Sequence, residues 1–191
     1  MSPKILVLST LGLFLLIAGG DYLLHNKSSS FSGRVATQGC PLLGSDQAPV
    51  QMVVFEDLRC TSCRSFHLEI LPKIKEKFID TGKVQCALLL LSFLDHSEPL
   101  ALQALSLYEK RPDSFFSFVN QLYTDLPPPD AENIAIADAE HIKKQLQENL
   151  KIADKLMNGE IATPAVFING KATISYSVGS IASAIEKEID R

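Results

Sequence analysis

No run of five or more lysines and arginines occurs in the 191 residues, and acidic residues outnumber basic ones by 22 to 18. A nucleic-acid-binding role therefore has no electrostatic support. Cysteine is scarce: four residues are too few for a disulfide-stapled miniprotein, so the fold must stand on its core. Aromatic residues make up 7%, and glycine and proline number ten each, well short of a collagenous or low-complexity chain. No internal repeat is visible. What remains, 46% hydrophobic and 21% charged, is the composition of an ordinary globular domain. The length suits one domain with an insertion and a real apolar core.

Long uncharged stretches are also few, and the first is informative. Ile5 to Ala18 carries no charge, follows Lys4, and ends in Ala18-Gly19-Gly20. A positive start, an apolar centre and a small-residue end read as a secretory signal over residues 1–20. The rival reading is an uncleaved anchor that continues through Tyr22, Leu23 and Leu24, although Asp21 and the glycines interrupt it. Either way the expectation is a protein outside the cytoplasm, periplasmic if released. Residues 21–40 read as a flexible linker, with the Ser-rich His25–Ser32 as its tether. Asn26-Lys27-Ser28 fits a glycosylation sequon only by chance.

Beyond the linker the pattern alternates. Val50 to Phe55 is a short β-branched run and reads as a strand. From Thr61 the period turns helical, with Phe66, Ile70, Ile74 and Phe78 on one face and Pro72 inside as a source of a kink. Val84 to Leu91 is nearly all apolar, as a strand covered on both faces would be. Strand, helix and strand make a βαβ unit with a right-handed crossover. Ser97-Glu98-Pro99 resembles a helix start with Ser97 as cap. Helices over 100–110 and 114–123 follow, then a break at Leu126–Asp130 and a third helix carrying Ile142, Leu146 and Leu150. Asn169-Gly170 joins Ala165–Ile168 to Lys171–Ser175 as a hairpin, and a last helix from Ser180 aligns Ile181, Ile185 and Ile189. The predicted fold class is α/β, a βαβ half and a ββα half separated by a helical insertion at about 97–158.

One constellation can carry difficult chemistry: Cys60-Thr61-Ser62-Cys63, where a strand gives way to a helix. The unpaired N–H groups and dipole of a helix N-terminus favour an anion, which makes Cys60 the attacking sulfur. Cys63, one turn later, is placed to attack the first sulfur and release a mixed disulfide. The competing readings of the pair are a structural disulfide and a zinc half-site. Zinc needs further ligands, and the histidines at 25, 67, 96 and 141 form no ligand pair of the usual spacing. His67 reads as a solvated helix histidine. Redox chemistry is favoured over metal.

The flanking motifs are specific. Pro41-Leu-Leu-Gly44, Ala48-Pro49, Phe55-Glu-Asp57, the Cys60–Cys63 pair with Phe66-His67, and Thr163-Pro164 leading to Asn169-Gly170 stand in the order of the DsbA-like thiol–disulfide oxidoreductases. The chain from Pro41 to the C-terminus resembles this exported branch of the thioredoxin superfamily, and Asp95-His96-Ser97 resembles its link into the insertion. The resemblance implies a thioredoxin fold over 41–191, a cis Pro164 facing the cysteines, and a Thr163 backbone that pairs with the substrate peptide. Such pairing binds many sequences without reading side chains. It also implies an acidic group beneath the pair that relays the resolving thiol's proton. Strand alternation sends one of Glu56 and Asp57 inward, and alignment favours Asp57.

Strongly oxidising members place a histidine between the cysteines; Thr61 and Ser62 supply hydroxyl dipoles only. The expected couple is less oxidising, suited to reduction or general oxidoreductase work, with the chlamydial DsbH type as the nearest named kind. The runner-up is a strong disulfide-forming oxidase. A non-catalytic binder or chaperone that uses the pair structurally, and a metal carrier, are the readings from other classes. No bound cofactor or metal is needed. The implied partners are protein thiols or disulfides and a membrane protein that resets the pair. No dimerisation segment precedes Pro41, so a monomer is expected. Cys40 and Cys86 are candidates for a second, structural disulfide. Against it, Cys86 reads equally as a buried thiol and Cys40 as a lipidation site, though Ala36-Thr-Gln-Gly39 lacks the apolar lead-in.

Overall fold

The computed structural model describes residues 33–124 and 139–191. The expected leader, the tether at 25–32, the sequon and the break at 126–130 lie outside the described residues.

Strand β1 is Leu42–Leu43, and β2 is Val50–Asp57, buried along its whole length. Helix α1 begins as Thr61–Ser65, widens into a π turn at Phe66–Ile70, tightens over Leu71–Ile74, and widens again at Lys75–Ile79. Strand β3, Val84–Leu91, is also buried throughout. The insertion contributes α2 (Glu98–Lys110), α3 (Phe115–Thr124) and α4 (Ala139–Met157). Strands β4 (Ala165–Ile168) and β5 (Lys171–Ala172) and helix α5 (Val178–Ile189) complete the chain.

The five strands lie in the order β1-β3-β2-β4-β5. Strands β2 and β3 run parallel, from Val50 opposite Val84 to Asp57 opposite Leu91, while the other pairs are antiparallel. Alternation along the strands divides the core. Met52, Val54, Cys86, Leu88 and Leu90 join α1, α5 and the insertion helices on one face. Val53, Phe55, Leu89 and Leu91 lie on the other with Val35, Cys40, Ala153 and Phe167. This is the thioredoxin-like α/β fold with a helical insertion that the sequence predicts.

Several local expectations change. The period of four in α1 breaks at the first π turn, so Leu71 rather than Ile70 is fully buried. Leu71 N–H bonds to Phe66 C=O, five residues back. The wider turn sits immediately before Pro72, whose ring would otherwise crowd the carbonyl four residues earlier. Ser97 precedes α2 but does not cap it, since its hydroxyl is committed elsewhere. Helix α5 starts two residues early, capped by Ser177, which accepts from Ser180 N–H. Strand β5 stops at Ala172, and Ile174 beyond it is fully exposed.

Residues 33–40, the last part of the expected linker, are held against the fold. Gly33 N–H bonds to the Asn169 carbonyl, Arg34 to the Ala48 carbonyl, and Gln51 makes paired bonds with the Val35 backbone at 2.7 and 3.0 Å. Cys40 is buried at the end of this segment.

Candidate active site

Strand β2 ends at Asp57, and a short turn delivers Cys60 to the cap position just before α1, with extended backbone angles. Its Sγ accepts a hydrogen bond from the N–H of Cys63 at 3.4 Å, so the sulfur itself caps the helix. On its other side Cys60 Sγ donates to the Thr163 carbonyl at 3.3 Å. The Thr163–Pro164 peptide is cis, as the resemblance implied. Residues a hundred positions apart thus meet at one sulfur. Cys60 is partly exposed, while Cys63 is fully buried. Burial pushes the Cys63 thiol far up, and the charge of Glu56 adds to that; the Thr163 side chain and Asp57 backbone act in the opposite sense. Thr61 and Ser62 face solvent on the same turn.

Both candidate acids are buried, but they do different things. Glu56 shares the sheet face of Met52 and Val54, against which α1 packs, and its carboxylate lies among hydrogen-bond donors. His67 Nδ1 reaches both oxygens, at 2.9 and 3.1 Å, and the Tyr123 hydroxyl donates to Oε2 at 3.1 Å. Asp57 shares the sheet face of Val53 and Phe55, opposite that of Glu56. It accepts from Arg59 N–H at 2.9 Å, from the N–H groups of Phe93 and Leu94 at 3.1 Å each, and from Ser97 Oγ at 3.0 Å. Three of these donors pin it to the β3–α2 connection, and the fourth holds the turn before α1. Of the two acids, Glu56 is the one whose charge raises the Cys63 thiol.

The sequence reading missed two side chains. His67 was expected in solvent and is 2% exposed. Its spacing of four from Cys63 was the available signal. Tyr123, in the insertion, offered none. Its hydroxyl is pushed up by burial first and then by the charge of Glu56.

The candidate Cys40–Cys86 disulfide is absent. Cys86 lies in the face shared with α1, and Cys40 packs on the opposite face, where its Sγ lies 3.5 Å from Asn149 Oδ1 and Gln145 Nε2. Both are free thiols separated by the sheet. Burial pushes Cys40 up to about 12 and Cys86 higher. Among the described residues no three histidine, cysteine or acidic side chains group as metal ligands. Beside Pro164 an open cleft of about 390 Å³ runs past Met157, Ala162, Phe167, Ile174 and Tyr176.

The family model described as Thioredoxin matches residues 36–187. The chain belongs to the thioredoxin family. Within it, the chain is 31% identical over 183 residues to Disulfide bond formation protein D of Bacillus subtilis, covering 85% of this chain and 82% of that protein. The crystal structure of oxidised BdbD from Bacillus subtilis superposes with a TM-score of 0.70 at 29% identity, covering 85% and 99% of the two chains. Chlamydia trachomatis DsbA, at 22% identity and a TM-score of 0.68 over 82% and 94%, shares the fold. This thioredoxin-family chain is a DsbA-like protein disulfide oxidoreductase with a CxxC pair.

Proposed function

We propose that the protein exchanges disulfides with protein substrates outside the cytoplasm, in the periplasm, through Cys60 and Cys63. The observation that carries this reading is the position of Cys60 Sγ, held between the first turn of α1 and the Thr163 carbonyl. In reduction, Cys60 as thiolate attacks one sulfur of a client disulfide. The client bond breaks, its second sulfur leaves as a thiolate, and a mixed disulfide forms on Cys60. Cys63 then loses its proton and attacks Cys60 Sγ, forming the Cys60–Cys63 bond and releasing the other client sulfur. Two electrons have passed to the client. Run backwards, the same steps oxidise a client dithiol.

The Thr163 backbone and cis Pro164 bind the client main chain as an added strand. Glu56, rather than Asp57, relays the proton of Cys63. A membrane protein resets the pair. Thr61 and Ser62 offer no cation to favour the reduced state, which supports reduction or general exchange of the DsbH type. A second reading, disulfide formation, is favoured by the name of the Bacillus subtilis relative.

Cys60→Ser should abolish insulin reduction, and Cys63→Ser should accumulate mixed disulfides with clients. Insulin reduction retained in full by Cys60→Ser would overturn the proposal, and a wild type that holds clients without reducing them would leave a binder. Equilibration with glutathione decides direction: a potential near about −120 mV, the strong-oxidant end of the range, assigns disulfide formation.

A further inference from the structure

Tyr123 brings the helical insertion to the end of β2 that leads into the cysteine pair. It stands next to last in α3 and is 2% exposed, in a core space that a phenylalanine ring would fill equally well. A hydroxyl sunk at that depth is costly unless it is bonded. It donates to two acceptors, Glu56 Oε2 at 3.1 Å and the Asp57 carbonyl at 3.3 Å. The same carbonyl accepts from Cys60 N–H at 2.9 Å. One hydroxyl therefore touches the acid whose charge raises Cys63 and the backbone group that sets the turn into Cys60.

Glu56 is held from two elements. His67 Nδ1, on α1, lies 2.9 and 3.1 Å from its two oxygens, and the Tyr123 hydroxyl comes from α3. The other titratable groups facing the carboxylate are Cys63 of α1 and Cys86 of β3, while Cys60 faces the Tyr123 hydroxyl. Asp57 is turned to its own four donors. The tyrosine hydroxyl is pushed far up, by burial first and then by the charge of Glu56. It therefore stays a donor at every pH at which the pair works. Such a donor stabilises a carboxylate more than a carboxylic acid. Glu56 can relay the Cys63 proton only while it is ionised, and a fixed donor extends that condition towards lower pH.

We propose that Tyr123 is a positioning residue for resolution: its bond to Glu56 keeps the relay acid ready and so fixes how far into acid solution Cys63 still attacks Cys60. The inference rests on Glu56 as the proton relay. In that step Glu56 takes up the Cys63 proton, the bond between Cys63 and Cys60 forms, and the bond from Cys60 to the client breaks. The client sulfur leaves as a thiolate, and Tyr123 keeps its own proton throughout. The insertion thus carries a chemical duty at the pair besides covering the sheet.

The test is the pH profile of resolution. Reduced protein is mixed with a large excess of oxidised glutathione between about pH 4 and 8 and quenched in acid for mass spectrometry. Loading of Cys60 scales with glutathione concentration, whereas loss of the adduct does not and reports the attack of Cys63. Wild type should hold a plateau across neutral pH that falls away on an acid limb. Tyr123→Phe keeps the ring and removes one donor, so its limb should lie about one pH unit higher. On that limb it should run about tenfold slower than wild type, and on the plateau at the wild-type rate. Superposed profiles overturn the proposal, and so does an equal slowing at every pH, which is what loosened packing gives. Glu56→Gln separates the two ideas. If it keeps the wild-type plateau and limb, the relay reading falls and the proposal with it. If it loses the plateau while Tyr123→Phe superposes on wild type, only the role of Tyr123 falls. A measurement on the unsubstituted chain guards against misfolding. In the oxidised protein the Tyr123 Cζ and Glu56 Cδ signals should move together by NMR as the carboxylate takes its proton, and a Tyr123 signal that stays flat through that change overturns the proposal.

Discussion

Neighbouring residues of the same type hold opposite duties here. Glu56 and Asp57 are one position apart on β2, so the pleat sends them to different faces. Sequence alternation gave that much and no more, because the partners that decide which acid meets the sulfur come from α1 and α3. Asp57 accepts four hydrogen bonds, three of which tie β2 to the β3–α2 connection. Asp57→Asn sets an amide N–H₂ against those donors. It should cost about 1–3 kcal/mol in a urea melt of the reduced protein. The pH profile of resolution should match wild type, while a profile displaced by a unit would restore Asp57 as the relay. The cysteine pair and the Thr163–Pro164 loop were legible because their chemistry is tied to fixed motifs. His67 was not, because its burial follows from a helix that departs from regular period.

That departure belongs to the element scale. A regular helix from Thr61 would carry Phe66, Ile70, Ile74 and Phe78 inward together. The π turn before Pro72 adds a residue to one turn and brings His67 and Leu71 inward in place of Ile70, while Phe66, Ile74 and Phe78 stay buried. Composition reveals the proline but not whether the backbone kinks, breaks or widens around it. The strands were easier, since continuous apolar runs such as Val84–Leu91 leave few alternatives. Strand β1 is two residues long and was invisible for that reason. The turn after it shows how tightly the edge is fitted. Gly44 has φ +88°, and a Cβ there would meet the Val84 carbonyl oxygen at 2.6 Å and Ile79 Cγ2 at 2.8 Å. Gly44→Ala should therefore lose at least about 1–2 kcal/mol from the backbone conformation alone, visible as a lowered Tm. An unchanged Tm would mean that the edge strand yields freely.

At the scale of the molecule, three thiols are buried in the reduced protein and all are pushed upward. The ordinary value is 9.0; Cys40 rises to about 12, and Cys63 and Cys86 rise further. As pH climbs past 9 the unfolded chain loses these protons while the folded chain retains them. Stability that is fully present below that point is then lost, at up to about 1.4 kcal/mol per thiol per pH unit. Urea midpoints of the reduced protein should fall steeply between pH 9 and 11. Closing the Cys60–Cys63 bond removes Cys63 from the set, so the oxidised protein should show a slope shallower by one thiol. Equal slopes in the two states would contradict the burial of Cys63.

The same separation of sulfurs has a meaning for traffic. A client arriving at the first turn of α1 finds a single reachable sulfur, with its resolving neighbour directly behind it. The two spare sulfurs sit on either side of a wall of strands, out of contact with each other and with the visitor. Both spare sulfurs are buried, so an exchange that begins at Cys60 has Cys63 as its neighbouring thiol on the same turn.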